Sequence, residues 1–370
     1  MFCLIEFIDL NGQNSYNNIR NWDGDKRRRY QLVETEMGRG MKKRVCLKGG
    51  YKMLVPRYYE NLSILHENTM PTRAYYIPAS KRMDDLVEHR ENSDRIQFLN
   101  GTWKFKYFES IYDVTEAFYE EGFSTEGFSD TKVPGVWQMD GYDNHQYTNI
   151  KYPFPFDPPF VPQDIPCGEY VYEFEYEKSE KTPKTYLNFE GVDSCFYVWL
   201  NGKYVGYSQV PHATSEFDVT ELIKEGNNKI AVLVMKWCDG SYLEDQDKFR
   251  MSGIFRDVYL LKRPEKAVRD YRVNTVVKDN KATISLDVMF TANTEVKVVL
   301  EDKDGNTVSE KEIVEEGTLT LEVENPVLWN TENPYLYTLV LETENETIVE
   351  YVGFRTIEII DKVIYFNGQN

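Results

Sequence analysis

Short runs of alternating hydrophobic and polar residues dominate the chain from about Ile96 onward. The run Trp103–Tyr107 alternates, and Tyr170–Tyr176 does the same over a longer stretch. Because successive side chains of a β-strand point to opposite faces of the sheet, this period of two predicts half-buried strands. The run Phe196–Leu200 meets Asn201-Gly202, a dipeptide that favours a tight β-hairpin turn. No long amphipathic helix competes, so the pattern predicts a β-sandwich or barrel.

A second block of alternating residues follows a linker at Pro264–Lys266. Hydrophobic positions alternate through Ala282–Phe290, and Val296–Leu300 repeats the pattern. Asp304-Gly305 adds another hairpin turn. A block of about 100 residues made of short alternating strands is typical of an immunoglobulin-like β-sandwich. We therefore expect an all-β chain with two successive sandwiches.

Residues 1–52 differ from the rest of the chain in both charge and pattern. They carry 11 Lys and Arg against 6 Asp and Glu, whereas residues 53–370 carry 32 against 55. They have neither a helical nor a strand period. One interpretation is a disordered basic arm that binds an anionic partner. We favour a second one, in which the segment is upstream DNA read in frame, because Lys48–Met53 back-translates to a ribosome-binding site followed by a start codon at Met53.

Composition excludes several classes of protein. A net charge of −18 argues against nucleic acid as a partner, because phosphate binding needs a basic face. No run approaches the ~20 apolar residues that span a bilayer, and the start lacks the features of a secretory signal. The five cysteines have no paired spacing and the four histidines are scattered, so neither a zinc site nor a Ser-His-Asp triad is predicted. We expect a cytoplasmic protein without membrane or nucleic-acid partners.

The segment Asn149–Pro162 is too rich in proline to form a central strand. Its prolines fix an extended, rigid path, and aromatic residues fill the spaces between them. For the prolines and phenylalanines we expect a loop packed over the edge of a sandwich. Asn149 is different, because a polar side chain on such a rigid segment is well placed to hydrogen-bond a ligand.

The segment Trp237–Val258 crowds four carboxylates into residues 239–247. Such charges repel one another unless cations, arginines or hydrogen-bond donors hold them. In one interpretation this is a structural loop whose own arginines neutralise its carboxylates. In the other it is an oxygen-ligand site for a cation or for sugar hydroxyls. The residues of the structural interpretation are the carboxylates Glu244, Asp245, Asp247 and Asp257 and the arginines Arg250 and Arg256.

These two segments resemble the amino-terminal region of β-galactosidases of glycoside hydrolase family 2. The stretches YPFPFDPPFVP and DGSYLEDQDKFRMSGIFRDV are specific to the β-galactosidase branch, whereas Leu-Asn-Gly-x-Trp and Gly-Phe-Arg occur across the family. The resemblance covers nearly all of residues 53–370 and none of 1–52. Further matching elements are Arg57–Asn61, Arg73–Pro78, Leu99–Phe105, Val133–Gln138, Val352–Arg355 and Phe366–Gly368.

The resemblance implies a jelly-roll, galactose-binding-like sandwich, then an immunoglobulin-like β-sandwich, then a (β/α)8 barrel. Placed on this chain, it predicts four parts. They are a non-native or disordered extension at 1–52, the sugar-binding jelly roll at 53–263, the immunoglobulin-like sandwich at 264–362, and a stub of the barrel at 363–370.

The same resemblance implies specific site residues. Asn149 matches an asparagine that reaches the galactose, and Asp239 matches an aspartate that helps to hold sodium and touches the sugar hydroxyls. Both catalytic glutamates of the retaining mechanism lie in the barrel, and so do the ligands of the family's magnesium. We therefore expect no catalytic residue and no Mg²⁺ site in this chain, and a Na⁺ contact at Asp239 only when a barrel is present.

The expected function is that of the front part of an enzyme that hydrolyses β-galactosides such as lactose, inactive without its barrel. The alternatives are a free carbohydrate-binding module and a subunit that assembles with a separate barrel chain. In tetrameric relatives a long loop of the second sandwich completes a neighbouring active site. The matching stretch Ile313–Thr320 is short here, which argues against an oligomer built on loop exchange and leaves a homo-oligomer of another kind open.

Overall fold

The computed structural model divides into two compact units, Met1–Leu54 and Val55–Asn370. In the first unit, β1 (Tyr30–Met37) pairs antiparallel with β2 (Met41–Lys48). The sequence pattern had given no strand period there, but backbone pairing in a two-stranded ribbon does not require alternation. That the segment is upstream DNA read in frame stays a prediction. The structure describes residues 30–37, 41–48, 53–83, 85–148, 152–244, 247 and 249–369.

In the described part of the first sandwich of the second unit there are fifteen short strands and four single 3-10 turns. The strands are β3 (His66–Glu67), β4 (Ile96–Phe98), β5 (Gly101–Phe108), β6 (Ser129–Val133), β7 (Gln146–Tyr147), β8 (Cys167–Tyr176), β9 (Lys184–Phe189), β10 (Val192–Asp193), β11 (Cys195–Leu200), β12 (Lys203–Gln209), β13 (Ser215–Asp218), β14 (Gly226–Met235), β15 (Phe249–Arg250), β16 (Gly253–Ile254) and β17 (Val258–Arg263). The 3-10 turns are Tyr58–Glu60, Arg90–Asn92, Ile111–Asp113 and Asp239–Tyr242.

Two antiparallel sheets form this sandwich. One has seven strands in the order β3-β12-β11-β14-β8-β5-β6, and the other has four in the order β13-β9-β17-β4. Neighbours in the sheets are mostly distant in sequence, as expected where strands cross between two layers. The core lies between the layers: Phe105 and Val232 of the larger sheet and Leu187 and Leu260 of the smaller one are all buried in it.

The immunoglobulin-like sandwich has seven strands and its own core. Its strands are β18 (Val268–Lys278), β19 (Lys281–Phe290), β20 (Val296–Glu301), β21 (Thr307–Ile313), β22 (Gly317–Glu324), β23 (Tyr337–Glu342) and β24 (Thr347–Val352). A sheet in the order β18-β19-β22 faces one in the order β21-β20-β23-β24, and Leu286, Val298 and Leu339 fill the space between them. A final hairpin pairs β25 (Ile357–Ile360) with β26 (Val363–Phe366).

A buried ion pair joins the two sandwiches. Arg263, at the end of β17, donates through Nε and Nη2 to the two carboxylate oxygens of Glu346 at 3.0 and 2.7 Å. Both side chains are almost fully buried, with 1% and 0% exposure. The Arg263 guanidinium also contacts the hydroxyl of Tyr76 at 3.1 Å and the carbonyl of Val268 at 2.7 Å. These bonds fix the orientation of the second sandwich on the first.

The predicted fold class is confirmed. The described part of the chain contains strands and 3-10 turns and no α-helix, and no helix of the described residues is long and apolar enough to cross a membrane. The connection between β21 and β22 is the short segment Val314–Glu316, so the second sandwich has no long loop at this position.

Candidate sugar and cation site

The central strand β14 of the larger sheet ends at Met235, and after three connecting residues the chain forms the 3-10 turn Asp239–Tyr242. The Cys238 amide donates to the Ser241 hydroxyl at 3.2 Å, and the Ser241 amide donates back to the Cys238 carbonyl at 2.9 Å. The Leu243 amide closes the turn on the Gly240 carbonyl. This compact turn places Asp239 at the end of the sheet, where the residue is only 3% exposed to solvent.

The Asp239 carboxylate is held on one oxygen only. Its Oδ1 accepts a hydrogen bond from Gln209 Nε2 at 3.0 Å. Its Oδ2 is buried and has no hydrogen-bond partner among the described residues. Burial raises the pKa of Asp239 above its ordinary value, and the hydrogen bond from Gln209 offsets part of that rise. The site therefore presents one oriented but unsatisfied carboxylate oxygen.

The structure brings the proline-rich segment against this turn. The Tyr242 hydroxyl accepts a hydrogen bond from the Asp157 amide at 3.2 Å and donates to the carbonyl of Phe160. The Tyr242 ring packs edge-to-face on Phe154 at 5.2 Å and on Phe156 at 5.4 Å. The packed-loop interpretation thus fits Phe154, which is buried, whereas Phe156 and Phe160 remain largely exposed. Asn149, the second predicted sugar contact, lies outside the described residues.

Asp257, one of the carboxylates of the structural interpretation, is held from outside its own segment. Asp257 forms its ion pair with Arg90 of the 3-10 turn Arg90–Asn92, and its Oδ1 accepts from Asn100 Nδ2 at 2.9 Å. Arg90 also pairs with Glu190. Partners that lie more than a hundred residues away in the chain cannot be read from the local segment.

Among the other carboxylates of the acidic segment, Glu244 places its Oε1 beside Gly240, the residue that follows Asp239. Asp247 accepts a hydrogen bond from the hydroxyl of Tyr147, and Asp245 lies outside the described residues. Within the part of the chain that the structure describes, no three His, Cys, Asp or Glu side chains come together as a metal site. Asp239 therefore offers one or two carboxylate oxygens to a ligand at this site.

Gln209 is the site residue that the sequence did not reveal. It is the last residue of β12 and lies 30 positions before the carboxylate it contacts. A polar residue at the end of an ordinary strand gives no local signal. Only the pairing of β11 with both β12 and β14, which places the ends of these strands side by side, brings it to Asp239.

Comparison with known proteins identifies the domains that carry this site. Residues 96–264 match the profile described as "Glycosyl hydrolases family 2, sugar binding domain", and residues 266–355 match the one described as "Glycosyl hydrolases family 2". The chain belongs to glycoside hydrolase family 2. Asp239 lies inside the first matched range, so the candidate site is part of the family's sugar-binding domain.

The curated relatives are called β-galactosidases. One from Actinobacillus pleuropneumoniae is 45% identical over 320 residues, which cover 86% of this chain and 31% of the relative. One from Staphylococcus xylosus is 45% identical over 322 residues, covering 86% of this chain and 32% of the relative. The family 2 chain thus spans about a third of the length of these relatives and corresponds to their amino-terminal part.

Solved structures of β-glucuronidases have a similar fold. An uncultured Clostridium sp. β-glucuronidase aligns with a TM-score of 0.58 and 25% identity over 74% of this chain and 47% of its own. A β-glucuronidase from Ruminococcus gnavus, in complex with uronic deoxynojirimycin, aligns with a TM-score of 0.60 and 22% identity over 74% of this chain and 48% of its own. At that identity the second match indicates the fold alone.

Proposed function

We propose that this chain is the non-catalytic, sugar-side region of a cytoplasmic β-galactosidase that hydrolyses terminal β-galactosides such as lactose. The observation that carries the proposal is the buried Asp239 carboxylate, oriented by Gln209 on one oxygen and unsatisfied on the other. The 45% identity to relatives called β-galactosidases supports the choice of galactoside.

The free energy of burial favours a ligand role for Asp239. A buried, unpaired carboxylate oxygen costs free energy, so a residue that served only stability would have a donor on both oxygens. A sugar hydroxyl or a cation that reaches Oδ2 would remove this cost. In this proposal Asp239 provides one oxygen ligand to Na⁺, and the ion supplies positive charge that orients the galactose hydroxyls beside it.

Catalysis itself is proposed to lie outside this chain. A retaining glycosidase needs two carboxyl groups about 5–5.5 Å apart, and in (β/α)8 enzymes these stand at the ends of barrel strands. The described residues form antiparallel sheets, a different architecture. The family resemblance places the acid/base and nucleophilic glutamates, and the magnesium ligands, in the barrel. Asn149 is proposed to contribute a second sugar contact beside Asp239.

Exposed apolar surface supports a barrel, in cis or in trans, as the missing partner. The hairpin of β25 and β26 exposes Ile357, Ile359 and Ile364 by 61%, 75% and 64%. Close to the candidate site, Phe156 is 65% and Leu243 is 88% exposed. Contiguous apolar surface of this kind marks an interface or an aggregation risk in a protein that stands alone.

A free carbohydrate-binding module is the less favoured alternative. Such a module commonly presents aromatic rings on an open sheet face to stack on sugar rings. Here several aromatic rings on the outer face of the larger sheet cover one another: Tyr197 and Tyr207 are fully buried beneath Tyr58, and Tyr119 stacks on Trp199 at 4.7 Å. These rings are therefore not open for stacking on a sugar.

A fused enzyme tests the proposal. The full chain is joined in frame to the part of the A. pleuropneumoniae β-galactosidase that follows its aligned segment, and turnover of nitrophenyl β-galactoside and nitrophenyl β-glucuronide is measured. We expect hydrolysis of the galactoside, a KM at least tenfold higher in Asp239→Asn, and a normal KM in the control Asp247→Asn. Preference for the glucuronide, or an unchanged KM and kcat in Asp239→Asn, would overturn the proposal.

A further inference from the structure

We propose that Gln209 is a positioning residue that fixes the side-chain conformation of Asp239 and leaves its second oxygen free for the ligand. This inference rests on the proposed function of Asp239 as a contact for sugar or cation. It adds a residue from a different strand, acting through Asp239 and not on the ligand itself.

The Gln209 side chain is fixed at both ends of its amide. Nε2 donates to Asp239 Oδ1 at 3.0 Å, and Oε1 accepts from the hydroxyl of Tyr207 at 2.7 Å. A carboxylate can only accept, so the amide must turn its NH₂ toward Asp239 and its carbonyl toward Tyr207. The three side chains form one directed chain of hydrogen bonds within the fold. Gln209 is 3% exposed, so water does not compete for these bonds.

The origin of this chain of bonds is itself immobilised by packing. The Tyr207 ring is fully buried and packs against Tyr197 at 4.7 Å and Tyr58 at 5.5 Å between ring centroids. The backbone N–H of Gln209 donates to the Leu65 carbonyl at 3.2 Å, and Gln209 pairs in register with Cys195 of the neighbouring strand β11. The glutamine therefore reaches Asp239 from a rigid part of the sheet.

The backbone turns sharply at the residue after Gln209. Val210 has a φ of 74°, a left-handed conformation that is unfavourable for a β-branched residue. A turn follows, closed by the Ala213 amide on the Val210 carbonyl at 3.0 Å. Strain of this kind persists where the surrounding structure demands it, and it is concentrated at functional sites. Here it ends β12 at the residue that contacts Asp239.

The chemistry of glutamine suits this role better than that of a charged donor. An arginine or lysine at this position would form an ion pair with Asp239 and compete with an incoming cation. A neutral amide orients one oxygen and leaves the negative charge in place. The carboxylate then meets its ligand already oriented, which lowers the entropic cost of binding.

The test measures the χ1 rotamer of Asp239 by three-bond NMR couplings in the full, isotope-labelled chain. We expect one staggered rotamer in the parent protein and averaged couplings in Gln209→Met, which keeps the length of the side chain but removes donor and acceptor. Tyr207→Phe should give partial averaging, because the amide loses its second anchor. The matched control is Gln97→Leu, since Gln97 donates to the Glu175 carbonyl in an exposed position, and it should leave Asp239 in one rotamer.

A single, unchanged Asp239 rotamer in both Gln209→Met and Tyr207→Phe would overturn the inference, even if their thermal stability falls. This measurement needs no substrate, so it is separate from the test of the proposed function. In the fused enzyme, Gln209→Met should raise the KM for the galactoside several-fold. If Asp239→Asn leaves the KM unchanged while the rotamer is lost in Gln209→Met, the proposed function fails and the positioning role remains.

Discussion

Removing one partner of the buried Arg263–Glu346 ion pair should destabilise the protein strongly. In Glu346→Gln the shape of the side chain is kept and its charge is lost, so the Arg263 guanidinium keeps its contacts to Tyr76 and Val268 but no counter-charge. Two bonds of 3.0 and 2.7 Å between side chains that are 1% and 0% exposed describe a fully desolvated pair. Breaking such a pair costs about 3–5 kcal/mol, because the remaining charge stays buried.

The matched variant removes both charges. Arg263→Met combined with Glu346→Leu replaces the pair by apolar side chains, which is often close to neutral, so we expect a loss of about 1–2 kcal/mol, well below that of the single variant. Urea unfolding followed by tryptophan fluorescence gives the free energies from the midpoints and slopes. The reasoning is refuted if Glu346→Gln costs less than about 1 kcal/mol, or if the double variant is as unstable as the single one.

Three further substitutions test individual features of the chain. Burial raises the pKa of Glu169 to about 8, with Glu116 adding to the rise and Lys106 opposing it. Because the folded state keeps a proton that the unfolded chain releases, the stability of the protein should fall as pH rises from about 4.5 to 8. At pH 8.5 the variant Glu169→Gln should therefore be more stable than the parent protein by up to about 4 kcal/mol, and at pH 4 it should not. A difference in urea midpoint that does not change with pH would contradict this. Val210→Gly should raise the free energy of unfolding by about 1 kcal/mol, because the strain of a valine in the left-handed conformation is larger than the extra chain entropy that a glycine loses on folding. A decrease in the free energy of unfolding by the same amount would show that Val210 is not strained. Asp239→Asn should change the stability of the isolated chain by less than about 1 kcal/mol, because no donor on Oδ2 is lost, whereas a loss above about 2 kcal/mol in thermal or urea unfolding would make Asp239 a structural residue.

The sequence was sufficient to predict the architecture, because alternation is a local property. The runs Trp103–Tyr107, Tyr170–Tyr176 and Ala282–Phe290 all lie in strands of the structure, β5, β8 and β19. Each of these strands has a buried face that the period of two had indicated. Asn201-Gly202 likewise forms the turn between β11 and β12.

The candidate site could be predicted only in part, because its geometry depends on contacts between distant strands. A resemblance in sequence was enough to single out Asp239. It could not reveal that Gln209 holds this carboxylate, nor that Arg90 holds Asp257. Such pairs form only when the strand order of the sheets is known, and no periodicity encodes that order.

The central claim is that this chain supplies sugar contacts without the catalytic pair, and hydrolysis by the purified 370-residue protein tests it most directly. Release of nitrophenol from nitrophenyl β-galactoside is followed at high protein concentration, with the fused enzyme as the positive control. The account predicts no release above the blank for the chain alone and clear turnover for the fusion. Release by the chain alone that increases in proportion to its concentration would contradict the account.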